Sequence, residues 1–198
     1  MRNFDPARSF GKRTAEHYDD TLRGDEAETI DFLYEQARGG PVLELAIGTG
    51  RIGLPLAQSG LEVHGIELSA AMVEQLRKKP GGDRILVTMG DYADVAVEGR
   101  YRLIYVVFNT FYNLLTQEKQ VTCFQNVARH LTEDGVFVIE AAMPTSMVCL
   151  RGSQYVDAET VELDAVTLDV GRFDIVTQTL DESHITISEA GISLAPIV

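Results

Sequence analysis

Apolar residues recur along the first two thirds of the chain in short runs, separated by amphipathic stretches, and this alternation predicts alternating strands and helices. VLELAI (42–47), LEVHGIE (61–67), YRLIYVVF (101–108) and GVFVIEAA (135–142) are rich in β-branched residues. Several are apolar almost throughout, as strands covered by helices on both faces should be. Ahead of them, Ile30, Phe32, Leu33, Tyr34 and Ala37 form an irregular helical stripe that Gly39, Gly40 and Pro41 bring to an end. The order then reads strand 42–47, helix about 51–59, a stop at Gly60, strand 61–67, helix 69–79, strand 84–89, strand 102–108, helix 116–131 and strand 135–141. Ser69 is placed to cap its helix, and Lys78 and Lys79 lie where the helix dipole favours cations. Val121, Phe124, Val127, Ala128 and Leu131 share one face of the last helix. Together these elements predict an α/β fold, a Rossmann-like, doubly wound, mostly parallel sheet with helices on both faces.

After Pro144 the pattern changes. Val161 and Leu163 alternate, then Val166, Leu168 and Val170 alternate in the opposite phase, which predicts a bulge near Ala165 and Val166. DVGRFD and LDESHITI read as turns between further strand segments, so a C-terminal antiparallel meander of about three strands is expected. The domain organisation predicted is a helical segment over 1–40, a Rossmann-like core over 41–145, and an antiparallel extension over 146–198 that serves as a cap or an interface.

Composition narrows the partners. The 198 residues suffice for one well-buried core. A net charge of −13, spread from Asp5 to Glu189, repels phosphate backbones and anionic lipid, which disfavours nucleic acid and membrane surfaces and favours a small-molecule substrate. No apolar run is long enough to span a bilayer and MRNFDPARSF has no signal-peptide core, so the expected location is cytoplasmic. Cys123 and Cys149 lack metal-ligand spacing and read as free thiols, and the four histidines are scattered, so no metal site is expected.

The candidate chemistry sits between the first two strands. Gly48, Gly50 and Gly53 match G-x-G-x-x-G at a strand-to-helix turn, where glycine lets the backbone turn sharply and a ligand approach it. Glu67 ends the next strand, at the distance from which a carboxylate can bond two ribose hydroxyls. Either a nicotinamide dinucleotide or another adenosine cofactor suits these features, and so does a plain turn. Two more carboxylates tip the choice. Glu44 interrupts the first strand, which in a nicotinamide enzyme is usually apolar throughout, and Asp91 follows the third strand at the same sheet edge, placed to accept from an adenine amine.

With these residues in view, the region from Tyr18 to Ala142 resembles the class I S-adenosylmethionine-dependent methyltransferases, in their small-molecule branch. The resemblance rests on ELAIGTG from Glu44 to Gly50, on Glu67, on Asp91, and on YVVFNTFYNLL after strand four. It implies S-adenosylmethionine as cofactor and S-adenosylhomocysteine as product, bound by the core over 41–145, covered by the helical segment over 1–40, with 146–198 as substrate cap or dimer interface. It further implies that the backbone of Ala46, Ile47, Gly48 and Gly50 lines the methionine moiety, Glu67 binds the ribose, Leu68 and Met72 pack near the adenine, and Asp91 with the Tyr92 amide reads the adenine edge. Tyr18 resembles the tyrosine that folds over the methionine carboxylate, and Asn109 occupies the place from which such enzymes contact the methyl group and substrate; these two are the candidate catalytic residues. Ala46 departs from the family, which usually has glycine there.

Each residue also has an ordinary structural role: Glu67 as a strand-end acid, Asp91 as a turn former, Met72 as helix core, Tyr18 as packing on the sheet, Asn109 as a strand terminus, and His17 as a surface histidine rather than a base. A methyl acceptor that is an amine needs only to arrive deprotonated, whereas a hydroxyl needs a base, and the sequence shows none. An amine acceptor is therefore expected over a hydroxyl. The alternatives are a nicotinamide-dependent oxidoreductase, which should carry a second mononucleotide half, or a cofactor-binding module without activity. Two further strands and a helix, usual in the family, do not follow the core by this reading; truncation or a homodimer that covers the open edge would account for that.

Overall fold

The computed structural model describes residues 5, 9–20, 22–94, 96–143 and 152–197, with 196 and 197 described by backbone alone. The chain divides into two compact units, Pro6–Ala141, and Ala142–Val198 with Met1–Asp5.

The first unit runs α1 (Lys12–His17), α2 (Glu26–Ala37), β1 (Val42–Leu45), α3 (Gly53–Gln58), β2 (Val63–Glu67), α4 (Ala70–Lys78), β3 (Leu86–Met89), β4 (Tyr101–Val106), α5 (Gln117–His130) and β5 (Leu131–Ile139). Its five strands pair in parallel in the order β3-β2-β1-β4-β5. Successive residues of a strand point to opposite faces, so Val42 joins one buried cluster with Leu33, Leu56, Leu76 and Leu103, while Leu43 joins a second with Ile66, Ile104, Cys123 and Val127. That double burial is why β4 reads as a nearly continuous apolar run, whereas β1 and β2 carry buried polar side chains, Glu44 and His64, within theirs. The expected helices and strands are present, with ends shifted by a residue or two. β5 is the larger difference: it begins at Leu131, directly after α5, and reaches the predicted run only after a register shift between Tyr101 and Leu103. Ser69 and Thr116 cap α4 and α5, accepting from the amides of Met72 and Lys119.

The second unit is an antiparallel sheet of four strands, β6 (Gln154–Val161), β7 (Ala165–Asp174), β8 (Thr179–Ser188) and β9 (Gly191–Ile197), in that order. Two expectations are corrected here. The phase change near Ala165 is a turn between separate strands, since Glu162–Asp164 links β6 to β7, and the bulge lies instead between Ala158 and Thr160. DVGRFD and LDESHITI lie within β7 and β8, and the turn between those strands is 175–178. ISLAPI forms the fourth strand. The register gives the sheet two unlike faces. Val161, Val166, Ile187 and Ile192 form one row and Ala158, Leu168, Ile185 and Leu194 the next on the apolar face, while Asp157, Asp169 and His184 align on the other. There the strand register also brings Glu182, Asp169 and His184 within 4.8 Å of one another, a grouping that scattered sequence positions do not show. Cys123 is buried, and Cys149 lies outside the described residues. Among the described residues, no helix is long and apolar enough to cross a membrane.

Candidate functional site

Because β1, β2, β3 and β4 run in parallel, the loops after them all emerge at one edge of the sheet. The strand order reverses between β2-β1 and β1-β4, and the crevice at such a switch point is where ligands sit in open α/β sheets. The sequence-derived candidates gather at this edge.

The loop 46–50 forms the floor. Gly48 has φ +56° and Gly50 φ +75°. A Cβ on Gly50 would lie 2.4 Å from the Leu76 side chain, so glycine is needed there for α4 to pack against the loop. At Gly48 the nearest atom would be 4.0 Å away, so the loop surface is open to a ligand. Ile47 is buried and fills the space left by Gly65, where a Cβ would fall 2.5 Å from its side chain. Ala46 also has positive φ, +60°, the conformation for which glycine is the usual residue.

Glu44 lies beneath this loop, with 3% of its surface exposed. Its Oε2 is buried under Gly53, where a Cβ would come within 2.3 Å of it. The third glycine of the motif therefore makes room for a carboxyl group, a use for which a dinucleotide is not required. Burial pushes the Glu44 pKa up to about 8; the neighbouring Tyr105 hydroxyl tempers the rise and the charge of Glu67 adds to it. Glu44 is thus neutral at pH 7 and supports the loop from below.

Glu67 ends β2 beside the loop. Its Oε2 accepts from the Gly48 amide (2.8 Å), and its Oε1 accepts from the amides of Leu68 (2.9 Å) and Ser69 (2.7 Å). Burial raises its pKa, and the Ser69, Gly48 and Leu68 amides hold the rise back. Three backbone donors fix the carboxylate, and with a single donor on Oε2 that oxygen keeps a lone pair able to accept from a hydroxyl group. The Gly90 amide bonds the Glu67 carbonyl (2.9 Å), which sets the Asp91 turn next to it. Asp91 accepts from the Ala93 amide (3.0 Å) and pairs with Lys119 of α5 (2.5 Å). Leu68 is 41% exposed, whereas Met72 is buried at 3% in the packing of α4. Tyr92 is buried, and its hydroxyl donates to the Thr110 carbonyl (2.8 Å), tying the Asp91 turn to the loop after β4.

Tyr18 belongs to the segment after α1 and reaches the same edge. Burial raises the pKa of its hydroxyl; Arg51 opposes the rise, and the charges of Glu44, Asp19 and Glu67 add to it. Arg51, next to Gly50, lies 4.6 Å from the centre of the Tyr18 ring and so places that ring beside the glycine loop. His17 points to solvent instead, paired with Asp20 at 2.8 Å. Asn109 begins the short 3-10 turn Thr110–Asn113, and it and Phe108 both have φ +60°. The Phe108 amide is held by Glu140 Oε2 (2.8 Å), and Arg23 stacks on the Phe108 ring at 4.4 Å. Asp19, Arg23, Arg51, Lys119 and Glu140 went unnoticed in the sequence, where each is one charge among many, and Lys79 was read there only as a cation at a helix end. Arg51, next to Gly50, carried the only local signal.

A wide cleft of about 940 Å³ opens at the opposite edge of the sheet, lined in part by Glu62, His64, Arg84 and Tyr101. His64 has both ring nitrogens engaged there, by Tyr101 (2.6 Å) and Thr88 (2.9 Å). The fixed carboxylates and open backbone are at the other edge, and chemistry outweighs volume in choosing between them.

Residues 42–135 match the Methyltransferase domain family. The chain is similar to the CcbJ methyltransferase from Streptomyces caelestis, with 33% identity and a TM-score of 0.89, over 98% of this chain and 80% of that one. Among curated proteins, it is 28% identical over 145 residues to the cypemycin N-terminal methyltransferase of Streptomyces sp, which is 73% of this chain and 56% of that protein. It is 29% identical over 172 residues to the dTDP-3-amino-3,6-dideoxy-alpha-D-glucopyranose N,N-dimethyltransferase of Streptomyces fradiae, 82% of this chain and 65% of that protein. The chain thus spans less than two thirds of the length of either curated relative.

Proposed function

The chain belongs to the class I S-adenosylmethionine-dependent methyltransferases, and from that premise we propose that it transfers a methyl group to an amine nitrogen of a small molecule. The observation that carries the reading is the Glu67 carboxylate, locked by the amides of Gly48, Leu68 and Ser69 against an open glycine loop. In this reading Glu67 takes the ribose hydroxyls and the backbone from Ala46 to Gly50 takes the methionyl end, with Glu44 supporting it from below. Asp91 and the Tyr92 amide face the adenine edge, Leu68 covers the ring, and Met72 backs that wall from the core. The cofactor supplies an electrophilic methyl group on a sulfonium.

The acceptor nitrogen's lone pair forms the new C–N bond, the S–C bond breaks with its electron pair going to sulfur, and the product ammonium then loses a proton to water. Collinear placement supplies much of the acceleration. Tyr18 closes over the methionyl end, and Asn109 orients the acceptor. No strong base is required for a free amine; of the two described residues that could be considered for that role, Tyr18 is held in its neutral form and His17 faces away. The two curated relatives, an N-terminal methyltransferase and an N,N-dimethyltransferase, agree with nitrogen as acceptor.

The test is turnover of the full chain with S-adenosylmethionine and a panel of amino sugars, amino-terminal peptides and matched alcohols, read as S-adenosylhomocysteine formed. Methylation confined to amines is expected; methylation confined to hydroxyls overturns the acceptor assignment. The same reading includes a homodimer formed through the apolar face of the β6–β9 sheet. Sedimentation as a monomer at micromolar concentration removes that part alone.

A further inference from the structure

The segment from Phe10 to Glu26 is fastened at several separate points. The Ser69 hydroxyl, at the start of α4, donates to the Phe10 carbonyl (2.6 Å). Further along, Asp19 closes a small ring of bonds: its Oδ1 accepts from the Thr49 hydroxyl (2.8 Å), its Oδ2 meets Lys79 Nζ (2.7 Å), and Lys79 Nζ also donates to the Thr49 carbonyl (2.8 Å). Arg51 lies on the other side of Asp19 at 3.6 Å, with its guanidinium 4.6 Å from the centre of the Tyr18 ring. It donates to the Tyr18 carbonyl and pairs with Glu26 at 3.5 Å. At the far end Arg23 reaches Glu140 (3.1 Å), whose other oxygen holds the Phe108 amide.

Thr49 and Arg51 flank Gly50 in the cofactor loop, and both hold on to Tyr18 and Asp19. Thr49 has none of its surface exposed, so its hydroxyl depends on Asp19 as acceptor. Asp19 also joins two cationic side chains that otherwise repel, one on the loop and one at the end of α4. Charge-assisted bonds of this kind are shorter and stronger than neutral ones. Arg23 is the second fastening, on the loop that carries Asn109.

We propose that Asp19 is a positioning residue for the cofactor: through Thr49 and Lys79 it fastens Tyr18 over the glycine loop, in concert with Arg23 and Glu26, which hold the loop after β4 and Arg51. The proposal rests on the cofactor assignment above, and it adds that the closing segment and the glycine loop change state together. Releasing Asp19 frees Tyr18 to swing away and leaves the loop less ordered for the methionyl end.

The test uses the full chain and two variants, Asp19→Asn and Lys79→Met, titrated with S-adenosylhomocysteine, while tryptic cleavage after Arg23 is timed with and without it. Both variants are expected to bind about tenfold more weakly. Cleavage after Arg23 is expected to be faster than in the unaltered protein and to slow again at saturating S-adenosylhomocysteine. Thermal unfolding of each unliganded variant checks that the fold is intact. A purely structural role would lower the melting temperature and leave the affinity unchanged. Unaltered affinity in both variants, or weaker binding without faster cleavage, overturns the positioning role alone. Failure of the unaltered protein to bind S-adenosylhomocysteine overturns the cofactor assignment and the positioning role together.

Discussion

Ala46 stands at φ +60°, in the first turn of the glycine loop, where a methyl-bearing residue holds its backbone under strain. The left-handed conformation costs a residue with a Cβ roughly 1–2 kcal/mol, and glycine gives back about half of that gain as chain entropy on folding. Ala46→Gly should therefore stabilise the protein by about 0.5–1 kcal/mol, seen as a rise of about 2–4 °C in melting temperature at most. Destabilisation on thermal unfolding would show that the loop does not bear strain there. Glu44 makes a second prediction. Its folded pKa of about 8 lies above the unfolded value, so between them the folded state holds a proton that the unfolded state has lost. Its contribution to stability is complete below about pH 4.5 and is lost as pH rises towards 8, with a slope of up to about 1.4 kcal/mol per unit. Urea denaturation from pH 5 to 8 should show that decline in the wild type and a flatter profile in Glu44→Gln; parallel profiles would contradict a neutral Glu44. These residues were legible because a motif fixes their spacing. Asp19 and Arg23 were not, since their partners lie 30 and 117 positions away and no local pattern marks a charge for such a pairing.

At the scale of elements, the parallel sheet was readable because burial on both faces enriches its strands in apolar residues, most fully in β4. The antiparallel sheet was harder. Its strands are half-exposed, and the turn Glu162–Asp164 contains Leu163, an apolar residue that continues the strand pattern into the turn. The start of β5 was missed for a related reason, because the charges of Glu133 and Asp134 hide a pairing that resumes beyond a register shift. Within the antiparallel sheet, one position depends on a cross-strand neighbour rather than on propensity. Gly171 of β7 lies opposite Tyr155 of β6, and a Cβ there would fall 2.3 Å from the Tyr155 ring. The ring also carries the hydroxyl that donates to Glu182. Gly171→Ala should cost about 1–3 kcal/mol through displacement of that ring. The same change in a Tyr155→Ser background should cost much less, and a double-mutant cycle in urea measures the difference. Additive effects would place the strain in the backbone instead.

For the molecule as a whole, the net charge of −13 acts on whatever approaches the site. S-adenosylmethionine carries one net positive charge at neutral pH, from its sulfonium, ammonium and carboxylate, and S-adenosylhomocysteine carries none. An acidic surface attracts the first and is indifferent to the second, so the field favours substrate over product in addition to any contact within the site. The two contributions respond differently to salt. Surface charges act over a distance comparable to the Debye length, ~10 Å at 0.1 M, and are screened, whereas the buried carboxylates beside the glycine loop are screened much less. Raising ionic strength from about 0.02 M to 0.3 M should weaken S-adenosylmethionine binding by roughly three- to tenfold while the affinity for S-adenosylhomocysteine changes by less than about twofold. Calorimetric titration of both ligands across that range provides the comparison. Equal salt dependence for the two would assign the preference to local contacts, and then replacing surface carboxylates far from β1–β4 should leave substrate affinity untouched. A cationic amine acceptor is drawn by the same field but reacts only as the free base, so its kcat/KM should fall with salt and rise with pH up to the acceptor's own pKa.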